Sequence, residues 1–84
     1  MLRIDRWKEG ARTVVKLQGR LGGELVAVLE NELAAAGPAN GVILDLGGLG
    51  HADPSGLEVL RAAIRGGAQV RSVTGFVASL LGPG

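Results

Sequence analysis

Three side chains that can take part in chemistry stand at alternate positions of one short stretch: His51, Asp53 and Ser55. A serine hydroxyl is a nucleophile or a phosphate acceptor, and a histidine with a carboxylate is the pair that activates it in hydrolases. Catalytic triads are assembled by spatial role, so packing all three groups into five consecutive residues argues against that geometry. The stretch favours a serine that is modified or recognised over one that catalyses.

The residues around Ser55 predict a strand, a loop and the start of a helix. Residues 42–46 form an apolar run typical of a strand buried on both faces. The glycine-rich residues 47–53 predict a loop beyond its carboxyl end, where open α/β sheets carry their functional groups. Asp53 fits the N-cap of the helix and Pro54 its first position, so Ser55 falls in the first turn. Free backbone N–H groups and the helix dipole there would favour a phosphate.

Within that predicted loop, residues 47–50 lack the lysine and the spacing of a phosphate-binding P-loop, which favours a plain tight turn. Asp45, at the end of the apolar run, is expected to hydrogen-bond this turn, because a carboxylate shielded from water needs partners. His51 is expected to be an exposed loop residue.

The composition restricts the possible functions. The chain has 84 residues, which predicts a single domain over residues 1–84. Without cysteine and with one histidine, it offers no disulfide, thiolate metal site or multi-histidine site, so neither a metal nor a cofactor is predicted. The net charge is +1 with acids and bases mixed, so nucleic acid is not an expected partner. No apolar run approaches the ~20 residues of a membrane span, which predicts a soluble, cytoplasmic protein.

Hydrophobic periodicity predicts the remaining elements in the order β-β-α-β-α-β-α. The predicted strands are residues 2–7, 12–18, 42–46 and 69–73, and the predicted helices are residues 24–36, 53–65 and 76–81. Residues 19–23 are expected to break the second strand, and residues 82–84 to form a tail. The first helix is expected to bury a stripe of four apolar side chains: Leu25, Val28, Leu29 and Leu33. Arg61 and Arg65, four apart on the second helix, are expected to lie on its solvated face.

These elements predict an α/β sandwich with a mixed four-stranded sheet. The short connection after the first strand favours an antiparallel hairpin, which places that strand at an edge. Right-handed crossovers make the other three strands parallel. Two main helices and a short C-terminal helix pack on the sheet. The charges of Arg3, Asp5 and Arg6 are typical of a guarded edge, although a homodimer through the first strand stays possible.

Several segments together resemble the STAS family, which comprises sulfate-transporter domains and bacterial anti-sigma-factor antagonists. Residues 42–46 and 53–57 resemble the strand–turn–helix signature that ends in Asp-x-Ser-Gly-Leu, and residues 17–21 resemble a Leu-x-Gly-Arg-Leu motif. Residues 67–70 and 76–78 are similar to the closing strand and helix of the family. The resemblance covers nearly the whole chain and implies a STAS-like sandwich.

The resemblance implies a non-enzymatic regulator that binds a serine kinase of the anti-sigma-factor type, or another regulatory protein. Ser55 would be the phosphoacceptor that controls this binding, and Asp53 would cap the helix and help the kinase contact. Gly56 and Leu57 would allow a close approach of the partner. The partner surface would also include three further residues: Arg20, His51 and Pro54.

Pro54 and His51 depart from the family pattern. Pro54 stands where the family has a small or hydroxyl residue, and it stiffens the site and removes an N–H. His51 stands where a large apolar residue is common. These departures favour the alternative, a constitutive scaffold or small-ligand-sensing subunit that is not phosphorylated.

Overall fold

The computed structural model describes residues 1–81, so the predicted tail at residues 82–84 lies outside the described residues. The strands are β1 (Leu2–Glu9), β2 (Arg12–Leu21), β3 (Val42–Ala52) and β4 (Gln69–Val73). The helices are α1 (Leu25–Ala36), α2 (Pro54–Arg65) and α3 (Gly75–Leu81), with a short 3₁₀ turn at Ala39–Gly41. The predicted order of elements is confirmed. No helix in residues 1–81 is both long and apolar enough to cross a membrane.

The sheet has the order β1-β2-β3-β4 and is mixed, as predicted. β1 runs antiparallel to β2 in one unbroken register, from Leu2 opposite Gly19 to Glu9 opposite Arg12. β2 with β3 and β3 with β4 are parallel. The chain is therefore an α/β sandwich whose two central strands end beside the first turn of α2.

β2 and β3 are longer than the sequence predicted, and the expected loop at residues 47–53 is wrong. Gly48 and Ala52 are strand residues paired with Gln18 and Leu21, so residues 19–21 do not break β2 either. Two register shifts interrupt this ladder, and bulges of this kind are where glycine is tolerated in a strand. A Cβ on Gly48 would stand 2.7 Å from the Gln18 side chain, so the close approach of the two strands requires glycine there.

The predicted hydrogen bond of Asp45 is present within this longer strand. The Gly47 N–H donates to Asp45 Oδ1 at 3.2 Å. Both residues lie in β3, so the carboxylate holds a bulged strand rather than the tight turn expected at residues 47–50.

The core lies between the sheet and the helices and is aliphatic. Its fully buried large side chains come from β2, α1, β3, α2 and α3: Val15, Leu17, Leu21, Leu29, Val42, Leu44, Leu46, Leu49, Leu60 and Val77. On α2, four apolar side chains at helical spacing face this core: Leu57, Leu60, Ala63 and Ile64.

The apolar stripe of α1 differs from the prediction at Leu25 and Val28. Val28 is 45% exposed. Val26, Leu29, Leu33 and Ala36 pack towards the core instead. Glu24 is the N-cap residue, without a side-chain cap bond, and the helix begins at Leu25. Because α1 consists largely of small and apolar residues, two different faces of it carry apolar side chains at helical spacing. Packing against the sheet determines which of the two faces is buried.

Arg61 does not belong to a solvated face. Its guanidinium donates a hydrogen bond to the Leu80 carbonyl oxygen at 2.6 Å and so ties α3 to α2. α3 is further held by Thr74, whose hydroxyl donates to the Leu49 carbonyl at 2.9 Å and accepts from the Val77 N–H at 3.3 Å. Arg65 is exposed, as expected.

An ion pair spans the sheet from one edge strand to the other. Glu9 of β1 accepts hydrogen bonds from Arg71 of β4, at 2.6 and 3.0 Å, and from the Trp7 indole N–H at 2.9 Å. The bond from Arg71 is the main cause that lowers the Glu9 pKa to about 2, and the bond from Trp7 adds to it. Val14, the cross-strand neighbour of Trp7, is fully buried.

Candidate functional site

Asp53 caps α2, as its position before Pro54 predicted. Its Oδ1 accepts a hydrogen bond from the Gly56 N–H at 2.8 Å, and its backbone is extended, as at a regular N-cap. Pro54 stands at the first helical position, where its missing N–H costs nothing. The first turn of α2 is therefore rigid, and Ser55 sits at its second position.

The same carboxylate also holds the chain before α1. Asp53 Oδ2 accepts from the Gly23 N–H at 3.1 Å, and the Asp53 N–H donates to the Leu21 carbonyl at 2.9 Å. The bond from Gly56, followed by that from Gly23, holds the pKa of Asp53 below its ordinary 3.8. One residue, through its backbone and its side chain, thus joins the ends of β2 and β3 to the start of α2.

We expect Asp53→Ala to lower the melting temperature, because it removes both bonds of this carboxylate. Loss of a helix N-cap in a domain of this size lowers Tm by roughly 4–8 °C. The pKa of Asp53 is depressed, so its contribution is complete above pH 3.8 and is lost as the pH falls through the folded pKa. Thermal unfolding at several pH values should show the wild-type advantage shrinking only in acid. Asp5→Ala, which loses one exposed ion pair, is the control and should change Tm little.

The start of α2 is not a vacant anion site, which corrects the expectation of free N–H groups there. Pro54 has no N–H, and the Gly56 N–H is held by the Asp53 side chain. The Leu57 N–H donates to the Asp53 carbonyl oxygen at 2.9 Å. The carboxylate of Asp53 already occupies the position that an anion at a helix N-terminus takes.

Ser55 is exposed, and within residues 1–81 its hydroxyl makes no hydrogen bond to the protein. Glu58, three residues later on the same helix, is exposed beside it. The hydroxyl is therefore presented outward from a rigid turn, next to two carboxylates, Asp53 and Glu58. This geometry permits access by a partner or a modifying enzyme.

Gly56 and Leu57 face the core rather than the surface. Leu57 is buried in the apolar cluster, and Gly56 is buried against Leu21, whose Cγ would stand 2.7 Å from a Cβ added to Gly56. Glycine at this position lets the first turn of α2 lie directly on β2. In the folded chain these two residues position Ser55, and any effect on a partner passes through that placement.

His51 lies in β3 and is half-buried, which corrects the expectation of an exposed loop residue. Its ring stacks on Phe76 of α3, with ring centroids 5.8 Å apart and an angle of 21° between the planes. Phe76 itself is 53% exposed. Sequence reasoning missed Phe76 as a site residue. The only signal was an aromatic side chain in a chain with two, and nothing in the pattern placed it beside residue 51.

The ends of β2 and β3 bring the predicted site residues to one end of the sheet. Arg20 is exposed in β2 and is the register neighbour of His51 in β3. Ser55 follows β3 by three residues. We call Arg20, His51, Ser55 and Phe76 the carboxyl-end surface.

The carboxyl-end surface shows no catalytic or metal-binding arrangement. In residues 1–81 no hydrogen bond links the side chains of His51, Asp53 and Ser55 to one another, and the Asp53 carboxylate accepts from the backbone N–H groups of Gly23 and Gly56. The described chain has no cluster of three or more metal-ligating side chains. Two surface grooves, one of about 600 Å³ between α1 and α2 and one of about 420 Å³ between α2, α3 and β4, are not lined by Ser55.

Comparison with known proteins identifies the fold. No family model matches the chain, and no curated protein matches it. Among solved structures, the chain is similar to a crystal structure of an antisigma-factor antagonist, a STAS domain from Rhodobacter sphaeroides. The TM-score is 0.58 at 23% sequence identity, over 95% of this chain and 94% of the other. The chain therefore has the fold of a STAS domain, as the resemblance of its motifs implied.

Proposed function

We propose that this chain is a regulatory protein-interaction module of the anti-sigma-factor-antagonist type. It would bind a serine kinase that acts as an anti-sigma factor, in the cytoplasm of a bacterium, and so regulate transcription. The observation that carries the proposal is the position of Ser55 in a chain with the STAS fold. Ser55 is exposed on a capped, rigid first turn of α2, at the carboxyl end of the parallel strands. Ser55 would be the phosphoacceptor that switches binding off.

The surroundings of Ser55 support a switch that acts on the partner rather than on this fold. A phosphate adds about −1.5 to −2 charges at pH 7. Asp53 engages the neighbouring N–H groups, so the phosphate would gain little from the helix and would stand beside Asp53 and Glu58. The added charge therefore has no counter-charge within the first turn. In a docked complex it would be desolvated against the partner, which is costly.

A binding role, rather than catalysis, is proposed for the carboxyl-end surface. Ser55 has no activating base at hydrogen-bond distance in the described residues, and His51 is stacked on Phe76. An exposed aromatic ring and an exposed arginine, Arg20, are side chains that often anchor protein interfaces. They offer a partner a contact area around the hydroxyl.

The test of this proposal begins with the protein purified from its native cells. Intact-mass spectrometry with peptide mapping over residues 42–61 should detect a phosphate on Ser55, and a kinase should co-purify with the unmodified form. Ser55→Ala should keep the affinity for that kinase. Ser55→Asp should weaken it by roughly tenfold to hundredfold, because a charge is left unpaired in the interface.

Ser79→Asp is the matched control, since Ser79 is an exposed serine on α3. It should leave the affinity unchanged. A Ser55 that stays unmodified in every growth state, or a kinase that binds Ser55→Asp as well as wild type, would contradict the switch.

The alternative is a constitutive scaffold or small-ligand-sensing subunit of the same fold. Pro54 supports it, because proline at the first helical position makes the backbone before Ser55 rigid. Proline also lacks the backbone N–H that another residue would offer to a partner or a phosphate. In that case partner binding would not respond to Ser55→Asp. A homodimer through β1 remains a prediction. The charged side chains of β1 are of the kind that guard a sheet edge against such pairing.

A further inference from the structure

The strand β4 has an unpaired edge. In the order β1-β2-β3-β4 it is the last strand, and no strand of residues 1–81 pairs with its outer side. All five of its residues, Gln69–Val73, are exposed. It contains neither proline nor lysine, and its only guards are the charge of Arg71 and the register shift at that residue in the pairing with β3. By contrast, five of the eight residues of β1, at the other edge, are charged.

A groove runs along this edge on the helix side of the sheet. It has a volume of about 420 Å³ and lies between β4, α2 and α3. Its apolar lining includes Ile64, Val70, Val73 and Leu81. Val70 and Val73 are each 37% exposed, so β4 leaves apolar surface uncovered beside its free backbone groups.

The charges at the groove are of one sign. The charged residues that line it are Arg61 and Arg65, and no acid of the described chain is among the lining residues. Arg61 is engaged by the Leu80 carbonyl oxygen, whereas Arg65 makes no ion pair within residues 1–81. On the opposite face, Arg71 is held by Glu9. The positive charge available to a bound group therefore lies at the rim of the groove.

We propose that the β4 edge and this groove bind an extended, acidic segment of a partner protein by strand addition. The backbone of the segment would continue the sheet as a fifth strand, pairing with the free groups of β4. Because side chains of a strand alternate between the two faces, every second residue would point into the groove. Valine-sized side chains fit its apolar part, and a carboxylate fits beside Arg65.

A second copy of this chain fits the same edge less well than an acidic segment. Antiparallel pairing of two full β4 strands about their midpoint places Arg71 opposite Arg71, and like charges directly opposite destabilise a pair. It also brings together two grooves whose lining charges are both positive. An acidic partner segment can pair with the free backbone groups of β4 and also places negative charge beside the arginines of the groove.

This surface is distinct from the site proposed above. Ser55 stands in the first turn of α2, whereas Arg65 is its last residue. At 1.5 Å per residue the two are about 15 Å apart along the helix. A partner segment on β4 therefore does not require the carboxyl-end surface, and this inference does not depend on phosphorylation.

The experiment uses a fluorescent peptide matched in length to β4, with the sequence valine, threonine, valine, threonine, glutamate. Its valines and glutamate share one face, as the groove requires. We expect saturable binding to the full chain by fluorescence anisotropy at low salt. Replacing the glutamate by lysine, or Arg65 by Glu (R65E), should weaken binding roughly three- to tenfold, because each puts like charges together at the rim.

Two N-methylated peptides test whether the backbone edge is used. One carries methyl groups on the threonine amides and the other on the remaining amides. Successive amides of a strand point to opposite edges, so only one of the two peptides should lose binding. Lys8→Glu, which makes the same change in charge on the opposite edge strand β1 and outside the groove, is the matched control and should bind like wild type.

Three results would overturn the proposal. They are the absence of binding, equal binding of the glutamate and lysine peptides, and equal affinity of the two N-methylated peptides. A dimer of the chain that forms without peptide and blocks it would assign the edge to a second copy instead. Circular dichroism of R65E should match wild type, and Arg65→Ala should give an intermediate affinity.

Discussion

Replacing Gly56 by valine is expected to lower the free energy of unfolding by about 1–3 kcal/mol, the usual cost of overpacking a core. A Cβ at this position would stand 2.7 Å from Leu21 Cγ and 2.8 Å from Leu21 Cδ2. Leu21 is 1% exposed and cannot move into solvent. To relieve the contact, the first turn of α2 must shift away from β2, and Ser55 shifts with it. Urea unfolding measures the loss of stability, and partner binding measures the displacement of Ser55.

Gly75→Val is the matched control for Gly56→Val. Gly75 is also in the first turn of a helix, α3, and a Cβ added there meets no atom within 4 Å. Its stability should change by no more than about 0.5 kcal/mol. If both variants lose the same stability, the cause is valine in a helix rather than contact with Leu21.

Leu44→Ala should be more damaging still, with a loss of about 2–5 kcal/mol. Leu44 is fully buried in β3, at the centre of the sheet, and contributes to the main apolar cluster. Small domains have about 0.05–0.15 kcal/mol of stability per residue, so this loss removes much of the total. A large fraction of the variant should be unfolded at 37 °C. The midpoint of urea unfolding, compared with wild type at constant slope, is the measurement.

Leu25→Ala makes the same change where the sequence and the structure disagree. The sequence placed Leu25 in the buried stripe of α1, but the structure leaves it half-exposed in the first turn, outside the core cluster. Its loss should be well below that of Leu44→Ala. If Leu25→Ala and Leu44→Ala lose the same stability, Leu25 is buried as the sequence predicted, and the orientation of α1 in the structure is contradicted.

Local signals predicted the start of α2 correctly. Asp53 followed by Pro54 identifies an N-cap and a first helical residue, since both preferences arise from the backbone of one turn. The structure shows this cap with a bond of 2.8 Å to Gly56. The second bond of Asp53, to Gly23, was beyond reach of such reasoning, because it joins residues 30 positions apart.

Glycine was the main source of error along the chain. Residues 47–50 contain three glycines and were interpreted as a turn, whereas they form the bulged half of β3. A glycine-rich segment has no intrinsic preference strong enough to choose between turn and strand. Pairing with β2 makes this segment a strand, because it joins residues 48–52 to residues 18–21 and buries Leu49 and Ala52 in the core.

The sequence by itself determined the order of elements, the mixed sheet, the cap at Asp53 and the place of Ser55 in the first turn of α2. These follow from hydrophobic period and from preferences within one turn, which act over a few residues. Only the tertiary structure decided the length of β2 and β3, the stacking of His51 on Phe76, the bond of Arg61 to Leu80 and the uncovered groove beside β4. Those features arise where distant segments meet, and their energy comes from packing and pairing that no local window contains.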